Sequence, residues 1–275
     1  MPDRIRNRTI VLTGASSGIG EAAARQLARR GARVCLIARR ADELERVKND
    51  IEARGGEAWA YAADLSDEAS LDACAASILA DHPRVDVLVN NAGRSIRRMV
   101  ADSVDRFHDY QRTMQINYFA PVRLTLKLLP QMLERGSGHI INVSSYSTLI
   151  PVPRFAAYVA SKCALEGFSR SLAAEMVDKE IYVTVINYPL VKTPMTAPTA
   201  AYKYLKQMDV DDAAGWIIEA VEKRPARMAT RIGEAWNVAL SALPGITTLF
   251  TGKFMLARGR KLQKLAEQAD QSSAP

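Results

Sequence analysis

Tyr158 and Lys162, in the stretch YVASK, form the residue pair in this sequence best suited to proton transfer. Residues four apart are neighbours on one helix face, and the pattern here predicts a helix over about 156–178. A nearby ammonium favours tyrosinate, so we expect Lys162 to lower the pKa of the phenol and let Tyr158 donate a proton to a carbonyl oxygen. Tyr–Lys pairs at this spacing also occur in ordinary amphipathic helices, so the other motifs of the sequence decide whether this pair is catalytic.

Two further side chains extend this pair to a candidate catalytic set. Ser145 ends the apolar segment GHIINVSS, where its hydroxyl is expected to hydrogen-bond a substrate oxygen. Asn117 falls within a long predicted helix, about 105–134, and is expected to hold a water that relays protons. Lys162 is expected also to bind the ribose of a nicotinamide cofactor.

The stretch TGASSGIG has the composition of a phosphate-binding turn. Gly14, Gly18 and Gly20 lie between a predicted strand and a predicted helix. Glycine permits the tight turn and lets the backbone approach a pyrophosphate, whose charge is favoured at a helix N-terminus. A glycine motif alone is weak, but its place in the first strand-helix-strand unit makes dinucleotide binding the specific prediction.

The end of the second predicted strand, IARR, indicates which dinucleotide is bound. An acidic residue there binds a free ribose 2′-hydroxyl, whereas arginine accommodates a 2′-phosphate. Ala38 occupies the acidic position and Arg39 and Arg40 follow, which predicts NADPH rather than NADH. Asp64, at the end of the third strand, is expected either to bind the adenine amino group or to cap the next helix.

Apolar segments alternate with longer helical patterns along the chain. Segments such as TIVLTGA, ARVCLIA and VDVLVNNA are apolar throughout, as expected of strands buried on both faces. This alternation predicts an α/β fold, a single Rossmann-like, doubly wound parallel sheet with helices on both faces. We assign residues 1–267 to one domain, with a helical substrate lid over about 194–267, and predict a disordered tail over 268–275.

Composition and charge restrict the class of protein. The chain is 48% hydrophobic, as expected of a soluble globular protein, and its net charge of +7 favours an anionic partner. Cys35, Cys74 and Cys163 have no paired spacing, so we expect reduced thiols in a cytoplasmic protein and no metal site. We expect no secretory signal, and the sequence has no apolar run of ~18 residues, as a spanning helix would need.

Together, TGASSGIG, NNAG, Asn117, Ser145 and YVASK resemble the short-chain dehydrogenase/reductase family from about Thr9 to Thr193. The resemblance implies hydride transfer to or from a carbonyl carbon. It also implies a homodimer or homotetramer built partly on the helices around Asn117 and Tyr158. The remaining predicted NADP(H) contacts are Ser16, Ser17, Ile19, Leu65, Asn91, Val191 and Thr193.

A narrower resemblance, to one branch of this family, concerns the substrate class. The family usually has Pro-Gly where this chain has Tyr188 and Pro189, so the loop beside the nicotinamide is expected to run differently. NNAGRSIRR, YPLVKTPMTAPT and KRPARMAT resemble the short-chain-type fatty acyl-CoA reductases and extend the match to about Gly233. The resemblance implies reduction of a long-chain acyl-CoA, or acyl-carrier thioester, to an aldehyde.

Direct hydride transfer to the thioester is favoured over an acyl-cysteine route. Cys163 adjoins Lys162, but five residues at about 100° each turn it some 140° from the Tyr158 face. We therefore expect Cys163 to pack and not to react.

Arg94, Arg97 and Arg98 follow NNAG, at the sheet edge where ligands of such folds bind. The planar guanidinium suits phosphate recognition, so we expect contact with phosphates of coenzyme A or a carrier's phosphopantetheine. The alternative is a solvated loop with salt bridges to Asp102 or Asp105. Met195 and Tyr202 are predicted to line an apolar substrate tunnel, with ordinary packing as the alternative.

The C-terminal segment VALSALPGITTLFTGKFMLARGRKLQKL combines apolar residues with a basic end. Pro244 and Gly245 interrupt it, so it does not predict a membrane span. An amphipathic lid or a membrane-surface helix is one interpretation, and dimer or core packing is the alternative.

The main alternative function is a ketoreductase acting on a 3-oxoacyl thioester, a steroid or another lipid carbonyl. The complete catalytic set disfavours a scaffold that binds NADPH without turnover, and the lack of a basic-aromatic surface disfavours nucleic-acid binding.

Overall fold

Seven strands and nine helices make up the described part of the chain. The computed structural model describes the backbone of residues 3–272 and the side chains of residues 3–262. The strands are β1 (Thr9–Thr13), β2 (Arg33–Ala38), β3 (Glu57–Ala62), β4 (Val87–Asn90), β5 (Gly138–Ser145), β6 (Ile181–Tyr188) and β7 (Arg227–Met228). The helices are α1 (Gly18–Arg29), α2 (Ala41–Ala53), α3 (Glu68–Asp81), α4 (Phe107–Met114), α5 (Ala120–Arg135), α6 (Ala156–Glu175), α7 (Val210–Lys223), α8 (Arg231–Ala242) and α9 (Pro244–Ser272).

All seven strands belong to one parallel sheet, in the order β3-β2-β1-β4-β5-β6-β7. Successive residues of a strand face opposite sides, and in β1 both Val11 and Leu12 are fully buried, each in a different apolar cluster. Such strands must be apolar on both faces, which is why the sequence reads as continuous apolar runs. The predicted doubly wound, Rossmann-like fold is confirmed.

The crevice of this sheet lies where the chain order reverses. β1 pairs with β2 on one side and with β4 on the other. The connections leaving β1 and β4 therefore diverge, and the carboxyl ends of these strands border an opening where ligands of doubly wound folds bind. TGASSGIG follows β1 and NNAG follows β4, so both motifs lie at this opening.

One face of α7 belongs to the core, which corrects part of the predicted lid. Ala213, Ile217 and Val221 recur every four residues on α7 and are buried in the apolar cluster that also contains α1. β7 adds a short strand beside β6. A two-residue strand gives no periodic signal, so the sequence pattern did not reveal it.

The predicted long helix around Asn117 is divided in the structure. A π-helical turn, Gln115–Phe119, separates α4 from α5, and Asn117 lies fully buried within it. Single π-helical turns inside α-helices are frequent at functional sites. A π-helical turn continues the helical backbone with one additional residue, so the sequence pattern predicted one continuous helix.

The predicted disordered tail, 268–275, stays a prediction. α9 is described to Ser272, and residues 273–275 lie outside the described residues.

Candidate active site

A cleft of about 2390 Å³ opens at the carboxyl ends of the strands. Its walls contain all the predicted cofactor, catalytic and substrate residues except Gly20, Asn117 and Arg98. Ordinary small-ligand pockets enclose ~300–1,000 Å³, so this cleft is large enough for a dinucleotide together with a second large molecule. The predicted site residues are thus largely brought together, and the three exceptions have other contacts.

The glycine-rich turn after β1 is shaped by close backbone packing. Gly14 and Gly18 have φ of +69° and +57°, in the left-handed region that glycine adopts without strain. A Cβ on Gly20 would collide with the carbonyl oxygen of Gly14, so Gly20 packs the start of α1 on the turn and does not line the cleft. A Cβ at any of these positions would disturb the cradle, which is the arrangement that a pyrophosphate requires.

Asn91 joins the two sides of the crevice. Its side-chain amide donates to the carbonyl oxygen of Thr13 at 2.9 Å, and its backbone N–H donates to the hydroxyl of Thr13 at 3.0 Å. These bonds hold the ends of β4 and β1 together beside the glycine turn. Asn91 lines the cleft as predicted.

The residues after β2 and β3 border one end of the cleft. Arg39 and Arg40 both line it, and the Arg40 guanidinium donates to the hydroxyl of Ser16 at 3.4 Å. Asp64 accepts from the backbone N–H of Ser66 at 2.9 Å and also lines the cleft. The alternative role of Asp64 as a helix cap is wrong, because Asp67 caps α3.

Lys162 is buried, with 3% of its surface exposed, and its ammonium donates to the carbonyl oxygen of Val143 at 2.7 Å. Burial lowers the pKa of Lys162 to about 8, and the carboxylate of Glu166 opposes this by raising it. The charge is thus stabilised by one strand carbonyl and one acidic neighbour.

Burial raises the pKa of the Tyr158 phenol, while the hydroxyl of Ser145 acts in the opposite direction. The predicted lowering of this pKa by Lys162 is not seen, because removal of the phenol from water outweighs the effect of its neighbours. The phenol consequently stays protonated at neutral pH and has a proton to donate.

Asn117 binds the loop that follows β4. Its amide oxygen accepts from the backbone N–H of Arg94 at 2.9 Å, and its amide nitrogen donates to the Arg94 carbonyl at 2.9 Å and to the Ser161 hydroxyl at 3.0 Å. These contacts tie the Arg94 backbone to α6. The predicted water relay stays a prediction.

Glu166 is a site residue that the sequence reasoning missed. It is 6% exposed and accepts hydrogen bonds from three groups on different elements. The donors are the hydroxyls of Ser144 and Thr148 and the amide of Asn187. The signal was present, because Tyr158, Lys162 and Glu166 are spaced four apart on α6 and share one face.

The three arginines after NNAG separate into two groups. Arg94 and Arg97 line the cleft, whereas Arg98 is 3.4 Å from the carboxylate of Asp109. The predicted phosphate role of Arg98 is not supported, because Asp109 engages this guanidinium. Asp102 and Asp105, the predicted salt-bridge partners of the loop, are not the partners of Arg98.

Arg154, which the sequence reasoning did not consider, also lines the cleft beside Arg97. Burial lowers the pKa of Arg97, and the guanidinium of Arg154 lowers it further. Arg154 has φ of +74°, a strained conformation for a residue with a side chain, and its carbonyl accepts from the backbone N–H of Arg98 at 2.7 Å. Within residues 3–262 neither Arg97 nor Arg154 pairs with a carboxylate, so two cations share one part of the cleft.

A flap over residues 193–207 covers the cleft. Its base is closed by Met208, whose N–H donates to Leu190 at 2.8 Å and whose carbonyl accepts from Lys192 at 3.0 Å. Met195 and Tyr202 line the cleft from this flap, and their role in an apolar substrate tunnel stays a prediction. Three apolar residues of α9 join them: Met255, Leu256 and Leu262.

The three cysteines lie outside the cleft. Cys163 is exposed on α6, so the expectation that it packs is wrong. Its thiol is still partly removed from water by the helix around it, and this raises the thiol pKa. Cys35 and Cys74 are buried, and burial raises their pKa values to about 12 and about 11. None of the three is among the cleft residues, and all three are expected to stay protonated at neutral pH.

Known proteins share this sequence and fold. A family model for short chain dehydrogenases matches residues 8–203. A fatty acyl-CoA reductase of Acinetobacter baylyi is 47% identical over 247 residues, covering 90% of this chain and 84% of that protein. A fatty acyl-CoA reductase of Mycobacterium tuberculosis is 43% identical over 262 residues, covering 95% of this chain and 88% of that protein.

Among solved structures, a metagenomic short-chain oxidoreductase in complex with NADP matches with a TM-score of 0.71 and 32% identity, covering 83% of this chain and 98% of that one. The family model spans more than half of this chain, and the relatives match along most of their length. The family predicted from the motifs is confirmed: the protein belongs to the short-chain dehydrogenase family.

Proposed function

We propose that this protein is an NADPH-dependent reductase that converts a long-chain acyl-CoA thioester into a fatty aldehyde. The observation that carries the proposal is one cleft that combines an apolar wall with two cations, Arg97 and Arg154, that no described carboxylate neutralises. A coenzyme A thioester has the matching parts, an acyl chain and phosphates. The likeness to two proteins named fatty acyl-CoA reductase supports the same substrate class.

The glycine turn and the end of β2 hold the cofactor in this proposal. The backbone of Gly14 to Gly18 receives the pyrophosphate at the start of α1, and Arg39 and Arg40 receive the 2′-phosphate of NADPH. Lys162 and Thr193 border the nicotinamide side of the cleft. When bound, NADPH supplies the hydride that reduces the carbonyl carbon.

Tyr158 and Ser145 act on the substrate oxygen. The neutral phenol of Tyr158 donates its proton as negative charge develops on that oxygen, and Ser145 hydrogen-bonds the same atom. The product of this step is a hemithioacetal. The carbon–sulfur bond then breaks, the hydroxyl proton passes to sulfur, and an aldehyde and free coenzyme A result.

No cysteine is needed for this reaction. A covalent route requires an activated thiol within reach of the substrate. The three thiols lie outside the cleft and have raised pKa values. Direct reduction of the thioester is therefore the route that these side chains support.

A homodimer through α5 fits the exposed apolar residues of that helix. Phe119, which ends the π-helical turn just before α5, and Leu126 and Leu133 of α5 are seven residues apart, and all are exposed. A seven-residue repeat places them on one stripe, the pattern by which two helices pack together. We propose this stripe as the subunit contact, in a cytoplasmic enzyme whose thiols stay reduced.

The proposed reaction is tested by following two products together. Purified protein mixed with NADPH and a long-chain acyl-CoA is expected to release coenzyme A thiol in proportion to NADPH oxidised, because thiol loss follows hydride addition. NADPH absorbance and a thiol-reactive dye give the two signals. Turnover of a lipid ketone without thiol release from any acyl-CoA would assign the site to a ketoreductase.

The same assay tests the phosphate contacts. Arg97→Glu and Arg154→Glu are expected to raise KM for acyl-CoA about tenfold or more, since charge-assisted hydrogen bonds are lost. KM for the matching acyl-pantetheine, which lacks phosphate, should stay unchanged. Arg170→Glu, an exposed arginine outside the cleft, is the control; an equal rise with both substrates would contradict phosphate recognition.

Replacing Tyr158 by phenylalanine removes the proposed proton donor. Tyr158→Phe is expected to lower kcat by about 10²–10⁴-fold, the usual contribution of a general acid, while NADPH still binds. Stopped-flow turnover and NADPH fluorescence titration measure the two effects. Tyr146→Phe, in the same cleft wall, is the control, and undiminished turnover in Tyr158→Phe would refute the mechanism.

The pH profile reports on Lys162. Its pKa of about 8 means that the ammonium is present below that pH and is lost as pH rises through it, so activity is expected to fall on the alkaline side. Glu166→Gln removes the group that raises this pKa and should move the fall to lower pH. Glu175→Gln, exposed at the end of α6, should leave the profile in place; an identical profile in Glu166→Gln would exclude the coupling.

Arg39→Asp tests the cofactor assignment. The new carboxylate should repel a 2′-phosphate and accept a free 2′-hydroxyl, so the Kd for NADPH should rise far more than the Kd for NADH. Fluorescence titration with both cofactors measures the ratio. Arg29→Asp, exposed on α1 away from the cleft, is the matched control, and equal weakening of both cofactors in Arg39→Asp would undo the assignment.

A further inference from the structure

α9 carries an apolar face that nothing in the described chain covers. Ile246, Leu249, Phe250 and Phe254 are each more than half exposed. At about 100° per residue these positions fall on one side of the helix, which we name the outer α9 face. Leu243, just before the helix, is also more than half exposed and extends the apolar surface.

The opposite side of α9 faces the substrate cleft. Met255 and Leu262 line the cleft and lie about 160–180° around the helix from Ile246. Leu256 also lines the cleft, from the margin of the outer α9 face beside Leu249. α9 therefore separates an apolar cleft wall on one side from an apolar outer face on the other. Packing within this chain explains the cleft side and leaves the outer face without a partner in the described residues.

The charges around the outer α9 face have one sign. Lys253, Arg260 and Lys261 are exposed on this side of the helix, whereas Arg258 lines the cleft. The sequence contains no Asp or Glu between Glu234 and Glu267. Exposed apolar residues flanked only by cations complement an interface that is apolar below and negatively charged above.

We propose that the outer α9 face lies on the surface of an anionic lipid bilayer. The described helices include none that is long and apolar enough to cross a membrane, so α9 is expected to lie in the plane of the interface. Phe250 and Phe254 enter the acyl boundary, and Lys253 and Arg260 meet lipid phosphates. The cleft then opens beside the bilayer, where long-chain lipids are concentrated.

A second copy of the chain fits this face less well. A two-fold contact places the same surface against itself. Lys253 and Arg260 of one protomer would then approach the same cations of the other, and the sequence between Glu234 and Glu267 offers no acidic residue to pair with them. The stripe on α5 differs, because the cations Arg123 and Lys127 beside it pair with Glu68 and Asp72 of α3.

The experiment is co-sedimentation of the full-length protein with vesicles. Vesicles of phosphatidylglycerol with phosphatidylcholine are compared with vesicles of phosphatidylcholine alone, at low and high salt. We expect binding to the anionic vesicles that weakens with salt. Phe250→Ser with Phe254→Ser, and separately Lys253→Glu with Arg260→Glu, should each reduce the bound fraction about tenfold or more.

The control variant is Phe107→Ser, which alters an equally exposed phenylalanine on α4 and should bind vesicles as the parent does. NADPH titration of every variant confirms that it is folded. The proposal would be overturned if the parent protein did not bind anionic vesicles. It would also be overturned if both double variants bound them as well as the parent does. A smaller mass by light scattering in the phenylalanine variant, without vesicle binding by the parent, would instead assign the face to a second copy.

This proposal goes beyond the proposed reaction and is measured independently of it. Vesicle binding does not depend on turnover, so an enzyme that reduces another lipid carbonyl would give the same sedimentation result. Failure of acyl-CoA reduction and failure of membrane binding are therefore seen in separate assays.

Discussion

The burial of one ammonium group, that of Lys162, is the constraint on which much of the site depends. A charge removed from water is costly unless it is hydrogen-bonded and paired. The carbonyl of Val143 at the end of β5 accepts one hydrogen bond, and Glu166, one turn further along α6, supplies the opposite charge. The lysine thereby fixes α6 against β5 at the point where Tyr158 enters the cleft.

Glu166 carries this constraint into the neighbouring elements. The carboxylate accepts from Ser144 on β5, from Thr148 in the turn after it, and from Asn187 on β6. Its second oxygen lies 3.7 Å from the guanidinium of Arg227 on β7. A buried carboxylate with several donors is stable only if all of them are in place, so the strand ends that border the cleft are held in one arrangement.

Burial also decides the protonation states in the site. The phenol of Tyr158 and the ammonium of Lys162 are both shifted toward their neutral forms, the phenol upward in pKa and the ammonium downward. A neutral phenol favours the donation of a proton, which is the direction that a reductase needs. Sequence reasoning expected the charge of Lys162 to dominate, because spacing reveals neighbours but does not reveal burial.

Features that depend on local pattern were predictable, and those that depend on tertiary contact were not. The strands are apolar on both faces and the glycine turn needs glycine, so the sheet and the cofactor side of the cleft followed from the sequence. β7 is too short to show a pattern, and Arg154 lies far along the chain from Arg97, which it joins in the cleft. Asp67 rather than Asp64 caps α3, because capping depends on where the helix begins.

The π-helical turn between α4 and α5 links the interior of the protein to its surface. Such a turn contains one residue more than an α-helical turn, and each residue rotates a helix by about 100°. Loss of that residue would rotate α5 relative to α4 and turn Phe119, Leu126 and Leu133 to a different direction. It would also withdraw Asn117 from the backbone of Arg94. An insertion or deletion at this one position therefore changes the direction of the α5 stripe and the support of the Arg94 loop at the same time.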